Sequence, residues 1–184
     1  MARINADLAN DLGNLAQRSL SMIAKNCAGS VPDWRASAPT DEDRDLIVQA
    51  DSLVGLARAA MREYAIHNYL AAVFDVVAKA NRYFAAAEPW RLARTDRARM
   101  ETVLYATIET LRIAAVLLQP VMPAAMASLL DLLGTPADAR DFAAVEARGG
   151  AGRFDAPHRL APGVALPAPA PIFPRYVEAE AGAP

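Results

Sequence analysis

The chain has 184 residues, which is enough for one domain with a substantial core but short for two. Hydrophobic residues make up 54% of the chain, and the many alanines among them favour helix. The net charge of −2 excludes a protein that holds nucleic acid by bulk electrostatics alone, so any nucleic-acid contact must be local.

The compartment and the membrane relationship follow from a few features. The single Cys27 cannot form an internal disulfide, and residues 1–7 lack the apolar run of a secretory signal. We therefore expect a cytoplasmic protein. The apolar segment 113–133 is interrupted by polar residues and by Pro120 and Pro123, which is incompatible with a membrane span. It predicts two buried helices that meet at a proline corner.

Two helices are predicted in the first third of the chain. Apolar residues at helical spacing indicate a first helix from Arg3 to about Cys27, closed by Gly29. A loop follows. Thr40 and the acidic residues behind it then resemble a capping box, which predicts a second helix that runs to about Tyr64.

Three more helices are predicted up to residue 134. Asn68 offers an N-cap for a third helix over residues 69–86, antiparallel to the second. After a break, a fourth helix is predicted over residues 95–118. Pro123 suits the first turn of a fifth helix, which Gly134 terminates.

Beyond residue 134 the helical pattern is lost. Glycine and proline accumulate, as in the run at 167–171. The sequence shows neither strand-like alternation of useful length nor a repeat at a fixed period. We therefore predict an all-α fold: a bundle of about five helices over residues 1–134, followed by a loop and an extended Pro/Ala-rich tail over residues 135–184.

Several kinds of chemistry find no support. His67 and His158 are far apart and have no neighbouring cysteines, so we predict no metal site. The glycines at 149–152 lack the flanking pattern of a phosphate-binding loop, and nucleotide hydrolysis is therefore not expected. The carboxylates at 41–45 are explained by the dipole of a helix start. We predict no catalytic residue in this chain.

A basic window surrounds Pro89 and Trp90. Residues 79–99 contain six basic and two acidic residues, a net charge of +4. Recognition of single-stranded nucleic acid uses cations to hold phosphates and an aromatic ring to stack on a base. The alternative is a solvated helix start with a core tryptophan, which composition alone favours because tryptophan is usually largely buried.

A second candidate feature lies on the first helix. Asn14 and Arg18 are four residues apart, so both project from one face. An amide and a guanidinium can together bind the donors and acceptors on an unpaired base edge. Since such residues are ordinary on any solvated helix face, the pair needs further support.

That support comes from four segments that occur in the order found in one known family. They are NADLANDLGNLAQR at 5–18, NRYF at 81–84 followed by EPW at 88–90, LQPVMP at 118–123, and IFPR at 172–175. Together these segments resemble the C-terminal anticodon-binding domain of bacterial methionyl-tRNA synthetases. The resemblance covers nearly the whole chain.

The resemblance implies a site and a partner. In that family the tryptophan of the Pro-Trp pair stacks on an anticodon base, and an Asn and an Arg of the first helix help to recognise the anticodon's cytosine. The anticodon-binding residues implied here are Asn14, Arg18, Pro89 and Trp90, with Pro89 stiffening the turn that presents the indole. The implied partner is the anticodon stem-loop of the methionine tRNA.

The family's catalytic machinery is absent from this sequence. The catalytic domain carries a His-x-Gly-His motif and a lysine-containing loop that activate methionine with ATP, and neither occurs here. We therefore expect the chain alone to be non-catalytic and to hold no cofactor, with ATP and methionine belonging to a catalytic domain of the same enzyme. The start at Met1, which enters the first helix without a linker, also suggests a separated domain. We expect Ile172, Phe173 and Val177 to fold back toward that catalytic domain, or onto the first and fourth helices.

Two other functions stay open at this point. One is a free-standing interaction or regulatory module that descended from this domain and binds protein or another RNA. The other is the related helical domain of another class I synthetase, such as that for cysteine, leucine or valine. The combination of Asn14, Arg18 and Pro89-Trp90 disfavours the latter.

Overall fold

The structure, a computed structural model, describes residues 11–146, 151–156 and 159–173. Five α-helices of ten or more residues and one shorter helix occur in this part of the chain, which confirms the all-α bundle. The helices are α1 (Asn14–Asn26), α2 (Asp41–Arg62), α3 (Ile66–Ala87), α4 (Pro89–Thr95), α5 (Arg97–Leu118) and α6 (Pro123–Leu132). The predicted helix start at Arg3 lies outside the described residues.

Helix α5 is the centre of the bundle. Every residue from Thr102 to Leu118 is buried, because α1, α2, α3 and α6 pack around α5. A helix that is buried on all sides can be apolar on all sides, which explains the long apolar run that begins near residue 113. Within the described ranges, no helix combines the length and the apolar character needed to cross a membrane.

Most helix ends follow the predicted caps. Thr40 and Asp43 form the capping box of α2, with the Thr40 amide donating to the Asp43 carboxylate at 2.8 Å. Asp96 caps α5 by accepting a hydrogen bond from a backbone amide of its first turn at 3.0 Å. Pro123 opens α6, and Gly134 follows its end with a φ of 63°.

Two boundaries differ from the prediction. Helix α3 begins at Ile66, so Asn68 lies inside its first turn and is not the cap. The chain reverses before α3 through Tyr64 at a φ of 54°, a conformation that non-glycine residues rarely adopt and that no turn residue signalled. The break expected after α3 contains the seven-residue α4, which follows the left-handed Glu88 and starts at Pro89.

The segment after α6 crosses back over the bundle. It forms two short 3-10 helices, Ala137–Ala139 and Phe142–Val145, and is otherwise without regular secondary structure where described. Near its end, the Leu166 amide donates to the Gly29 carbonyl at 2.8 Å, just beyond α1. These contacts join the segment to the loop between α1 and α2.

The tail also contributes to the hydrophobic core. The Phe154 ring lies 5.6 Å from the Trp34 ring and 5.9 Å from the Tyr105 ring, measured between centroids. Ile172 and Phe173 are partly buried against the same core. The described chain therefore places both residues against the bundle, and the expected contact with a catalytic domain stays a prediction. Val177 lies outside the described residues.

A buried ionic network fastens the tail to the bundle. Arg159 donates to Glu109 of α5 at 3.1 Å and to Asp51 of α2 at 2.7 Å, and Glu109 also pairs with Arg112 at 2.6 Å. Burial alone raises the pKa of the Glu109 carboxyl, but the two arginines outweigh this effect and hold that pKa below its usual value. Removal of one member of such a buried network leaves an uncompensated charge, which is strongly destabilising.

Candidate nucleic-acid interface

The residues singled out in the sequence meet where the start of α1 lies against the junction of α3 and α4. Glu88, at a φ of 45°, ends α3 and leads directly into α4. Pro89 is buried at the first position of α4, where its fixed φ suits a helix start. Trp90 follows with 44% of its surface exposed. Its ring is therefore not a core side chain.

Arg18 lies over two aromatic rings at this junction. Its guanidinium carbon is 5.0 Å from the centroid of the Phe84 ring and 5.5 Å from that of the Trp90 ring. The two rings are 6.3 Å apart and inclined by 55°. The two distances from the guanidinium carbon to the ring centroids are within the range of a cation–π contact. The fold thus brings Arg18 and Trp90, which are far apart in the sequence, into one cluster.

Asn14 is one turn before Arg18 on α1, and its side chain is exposed. A wider, π-type turn at 11–13 precedes it. The start of α1 is fixed from α3, because the Asn81 amide donates to the Asp11 carbonyl at 3.2 Å. Within the described ranges, neither Asn14 nor Arg18 forms a side-chain hydrogen bond or an ion pair. Their polar groups are therefore available to a ligand.

The six basic residues of the window at 79–99 fall into two groups. Three are paired with carboxylates: Arg91 with Glu88 at 2.6 Å, Arg97 with Glu101 at 3.2 Å, and Arg99 with Asp43. Three are exposed and have no ion pair with any residue that the structure describes: Lys79, Arg82 and Arg94. Half of the cations counted in the sequence therefore have no ion pair within the described residues, and of the other three only Arg99 is held in a largely buried pair.

A buried cluster beside the site was missed in the sequence. The Asp43 carboxylate, interpreted there only as part of a helix start, also accepts hydrogen bonds from the Tyr83 hydroxyl and from Arg99, the latter at 2.8 Å. Burial raises the pKa of Asp43, yet the bonds from Arg99 and Tyr83 outweigh it and hold that pKa below its usual value. No spacing rule links residues so far apart in the chain.

The Asp43 cluster has a mechanical role. It joins the start of α2 to the end of α3 and to the start of α5. Helices α3 and α5 are the two that flank α4 in the chain. Both ends of the segment that carries Trp90 are thereby anchored. The indole is presented from a fixed junction, not from a loose loop.

Comparison with known proteins identifies the family. Residues 31–181 match the family model described as the anticodon-binding domain of methionyl tRNA ligase. The chain belongs to this family. Pro89 and Trp90 lie within the matched range of the anticodon-binding domain, whereas Asn14 and Arg18 precede it.

Individual relatives agree with the family match. The methionine–tRNA ligase of Brucella suis is 54% identical over 178 residues, which are 97% of this chain and 32% of that protein. The Mesorhizobium japonicum methionine–tRNA ligase is 56% identical over 176 residues, 96% of this chain and 32% of that protein. The free-state crystal structure of Mycobacterium tuberculosis methionyl-tRNA synthetase matches with a TM-score of 0.86 and 45% identity over 97% of this chain and 34% of that chain.

These comparisons confirm the resemblance drawn from the four sequence segments, and they give no support to either alternative function. The chain spans about one third of the length of the curated relatives it matches.

As to metals, the part of the chain that the structure describes contains no group of three or more His, Cys, Asp or Glu side chains that could hold an ion. His158 lies outside that part.

Proposed function

We propose that this chain recognises the anticodon of the methionine tRNA and serves as the RNA-binding part of a methionine–tRNA ligase. The observation that carries the proposal is the cluster of Arg18 with the half-exposed Trp90, in a chain of the anticodon-binding domain family. An exposed indole gives an unpaired base a surface on which to stack. The guanidinium beside it supplies donors for the edge of that base.

Each side chain of the site has a distinct role in this proposal. Trp90 stacks on an anticodon base and supplies affinity, while Pro89 fixes the start of α4 that carries it. Asn14 and Arg18 read the edge of the cytosine, since that edge combines acceptors with an amino donor, and an amide and a guanidinium complement both.

The unpaired cations Lys79, Arg82 and Arg94 have a different part in the proposal. They contact phosphates on either side of the loop, and such contacts give affinity without sequence preference. Three of the six basic residues in the window at 79–99 form ion pairs within the chain, so the electrostatic contribution to RNA affinity is modest. The base contacts must therefore provide the discrimination between RNAs.

The chemistry of aminoacylation belongs to another part of the same enzyme in this proposal. The sequence has neither the His-x-Gly-His motif nor the lysine-containing loop. ATP and methionine therefore bind to the catalytic domain in this proposal. That domain is the chain's second partner, and the two act together in the cytoplasm. The pure chain should therefore give no methionine-dependent pyrophosphate exchange. Measurable exchange above that of a mock purification would refute this division of roles.

The test is the binding preference among RNA stem-loops. The chain should bind the methionine anticodon stem-loop more tightly than a matched stem-loop in which uracil replaces the cytosine. A preference of about ten-fold is expected from a well-formed base-edge contact. A free-standing module of another function predicts equal binding of both RNAs, or none, and that result would reject anticodon recognition.

A further inference from the structure

Phe84 has no role in the site as described so far, yet its ring is the closest aromatic partner of Arg18. The ring is fully buried on α3, and its centroid is 5.0 Å from the guanidinium carbon, compared with 5.5 Å for Trp90. Phe84 also contacts Trp90 directly, with 6.3 Å between the ring centroids. It therefore contacts two of the four side chains to which anticodon recognition is assigned, Arg18 and Trp90.

The way in which Arg18 is held matters for what it can do. The Arg99 guanidinium is held by the Asp43 carboxylate, which engages N–H groups of both terminal nitrogens. Arg18 has no such partner among the described residues, and its guanidinium carbon lies over the Phe84 ring. A cation–π contact leaves the in-plane N–H donors free. The rings thus restrict the rotamers of a long side chain without consuming its hydrogen bonds.

We propose that Phe84 is a positioning residue for the discrimination of cytosine: its buried ring holds the Arg18 guanidinium beside Trp90, so that the N–H donors point to the base edge before RNA binds. A side chain that is already held in place in the free protein loses less conformational entropy on binding. The Asn81 side chain donates to the Asp11 carbonyl just before α1, which ties the start of that helix to α3, the helix that carries Phe84. The inference rests on the proposed function.

The experiment compares Phe84→Leu, Arg18→Ala and the double variant. Each is titrated with the methionine anticodon stem-loop and with the matched stem-loop that carries uracil in place of cytosine. Phe84→Leu should lower the preference for cytosine by about two- to five-fold, the size of a cation–π contact at an exposed site. In the Arg18→Ala background, Phe84→Leu should leave the preference unchanged, because the two residues act through one contact.

Loss of packing is controlled with a matched variant. Phe154→Leu removes another buried phenyl ring, which packs on Trp34 and Tyr105 instead. It should lower the melting temperature and leave the preference for cytosine unaltered. All titrations are made below the melting temperature of each variant. If Phe84→Leu does not fold, Phe84→Met has a similar volume but a more flexible side chain that can fill the space, and it tests the same contact.

A measurement without RNA tests the contact itself. The side-chain protons of Arg18 should show an NMR ring-current shift in the free protein that Phe84→Leu reduces and Phe154→Leu does not. If the wild-type chain discriminates cytosine but Phe84→Leu retains the full preference, or lowers it equally in the Arg18→Ala background, this inference fails and the proposed function stands. If the wild-type chain shows no preference, the proposed function fails and the inference fails with it.

Discussion

Replacing Trp90 by alanine separates binding from folding. The indole is 44% exposed and its buried part lies against Phe84 and Arg18. Removal of a fully buried aromatic side chain costs about 3–5 kcal/mol. Because roughly half of this ring is buried, Trp90→Ala should lower the free energy of unfolding by about 2 kcal/mol. The domain should stay folded at room temperature.

The loss of binding should exceed what the loss of stability explains. A base stacked on an aromatic ring contributes about 1–3 kcal/mol, so the affinity for the methionine anticodon stem-loop should fall by about five-fold to about 140-fold. The assay is a fluorescence-anisotropy titration of labelled stem-loop, made well below the melting temperature determined by circular dichroism.

A second tryptophan supplies the matched control. Trp34 is also partly buried, but it packs on Phe154 away from the site. Trp34→Ala should destabilise the chain and leave the stem-loop affinity of the folded protein unchanged. The reasoning about Trp90 is refuted if Trp90→Ala lowers the melting temperature while the folded fraction binds the stem-loop with the affinity of the wild type.

Three further changes test the buried charges. Arg159→Ala leaves Glu109 and Asp51 without a shared partner, and should cost about 3–5 kcal/mol in urea unfolding; a loss below about 1 kcal/mol would show that the network is solvated. Since the folded pKa of Glu109 lies below the ordinary 4.5, the stability it contributes is present above that pH and is lost as the pH falls below it. Glu109→Gln should therefore flatten the acid limb of melting temperature against pH, and an unchanged limb would contradict the assignment. Asp43→Asn should cost about 1–3 kcal/mol and weaken both stem-loops alike, which thermal unfolding and parallel titrations would check; a selective loss for the cytosine stem-loop would mean that Asp43 acts on Arg18.

The sequence predicted the helices where local chemistry determines the backbone. Thr40 and Asp96 are caps, and Pro123 and Gly134 bracket α6, because capping depends on residues within one turn. Helix α4 was missed because only seven residues separate Glu88 from its end, too few for a periodic pattern.

Candidate site residues could be named from the sequence, but their spatial arrangement could not, and their role in binding stays a prediction. Asn14, Arg18, Pro89 and Trp90 came from short motifs in the sequence, and the structure brings Arg18 and Trp90 together. Phe84 and the Asp43 cluster could not be assigned in this way, because their roles depend on contacts between helices. Likewise, the number of charges in the window at 79–99 does not reveal that Arg99 forms an ion pair with Asp43.

The crossing of the tail sets the smallest piece of this chain that should fold. Within the described residues, Tyr105 of α5 donates to the Leu160 carbonyl at 2.9 Å, and the backbone amide of Leu160 donates to Glu109. A truncation after Gly134 would uncover this side of the central helix and leave Glu109 with Arg112 as its one remaining charged partner. A shortened form of the domain should therefore extend at least through Leu166, whose backbone amide donates to the Gly29 carbonyl just beyond α1.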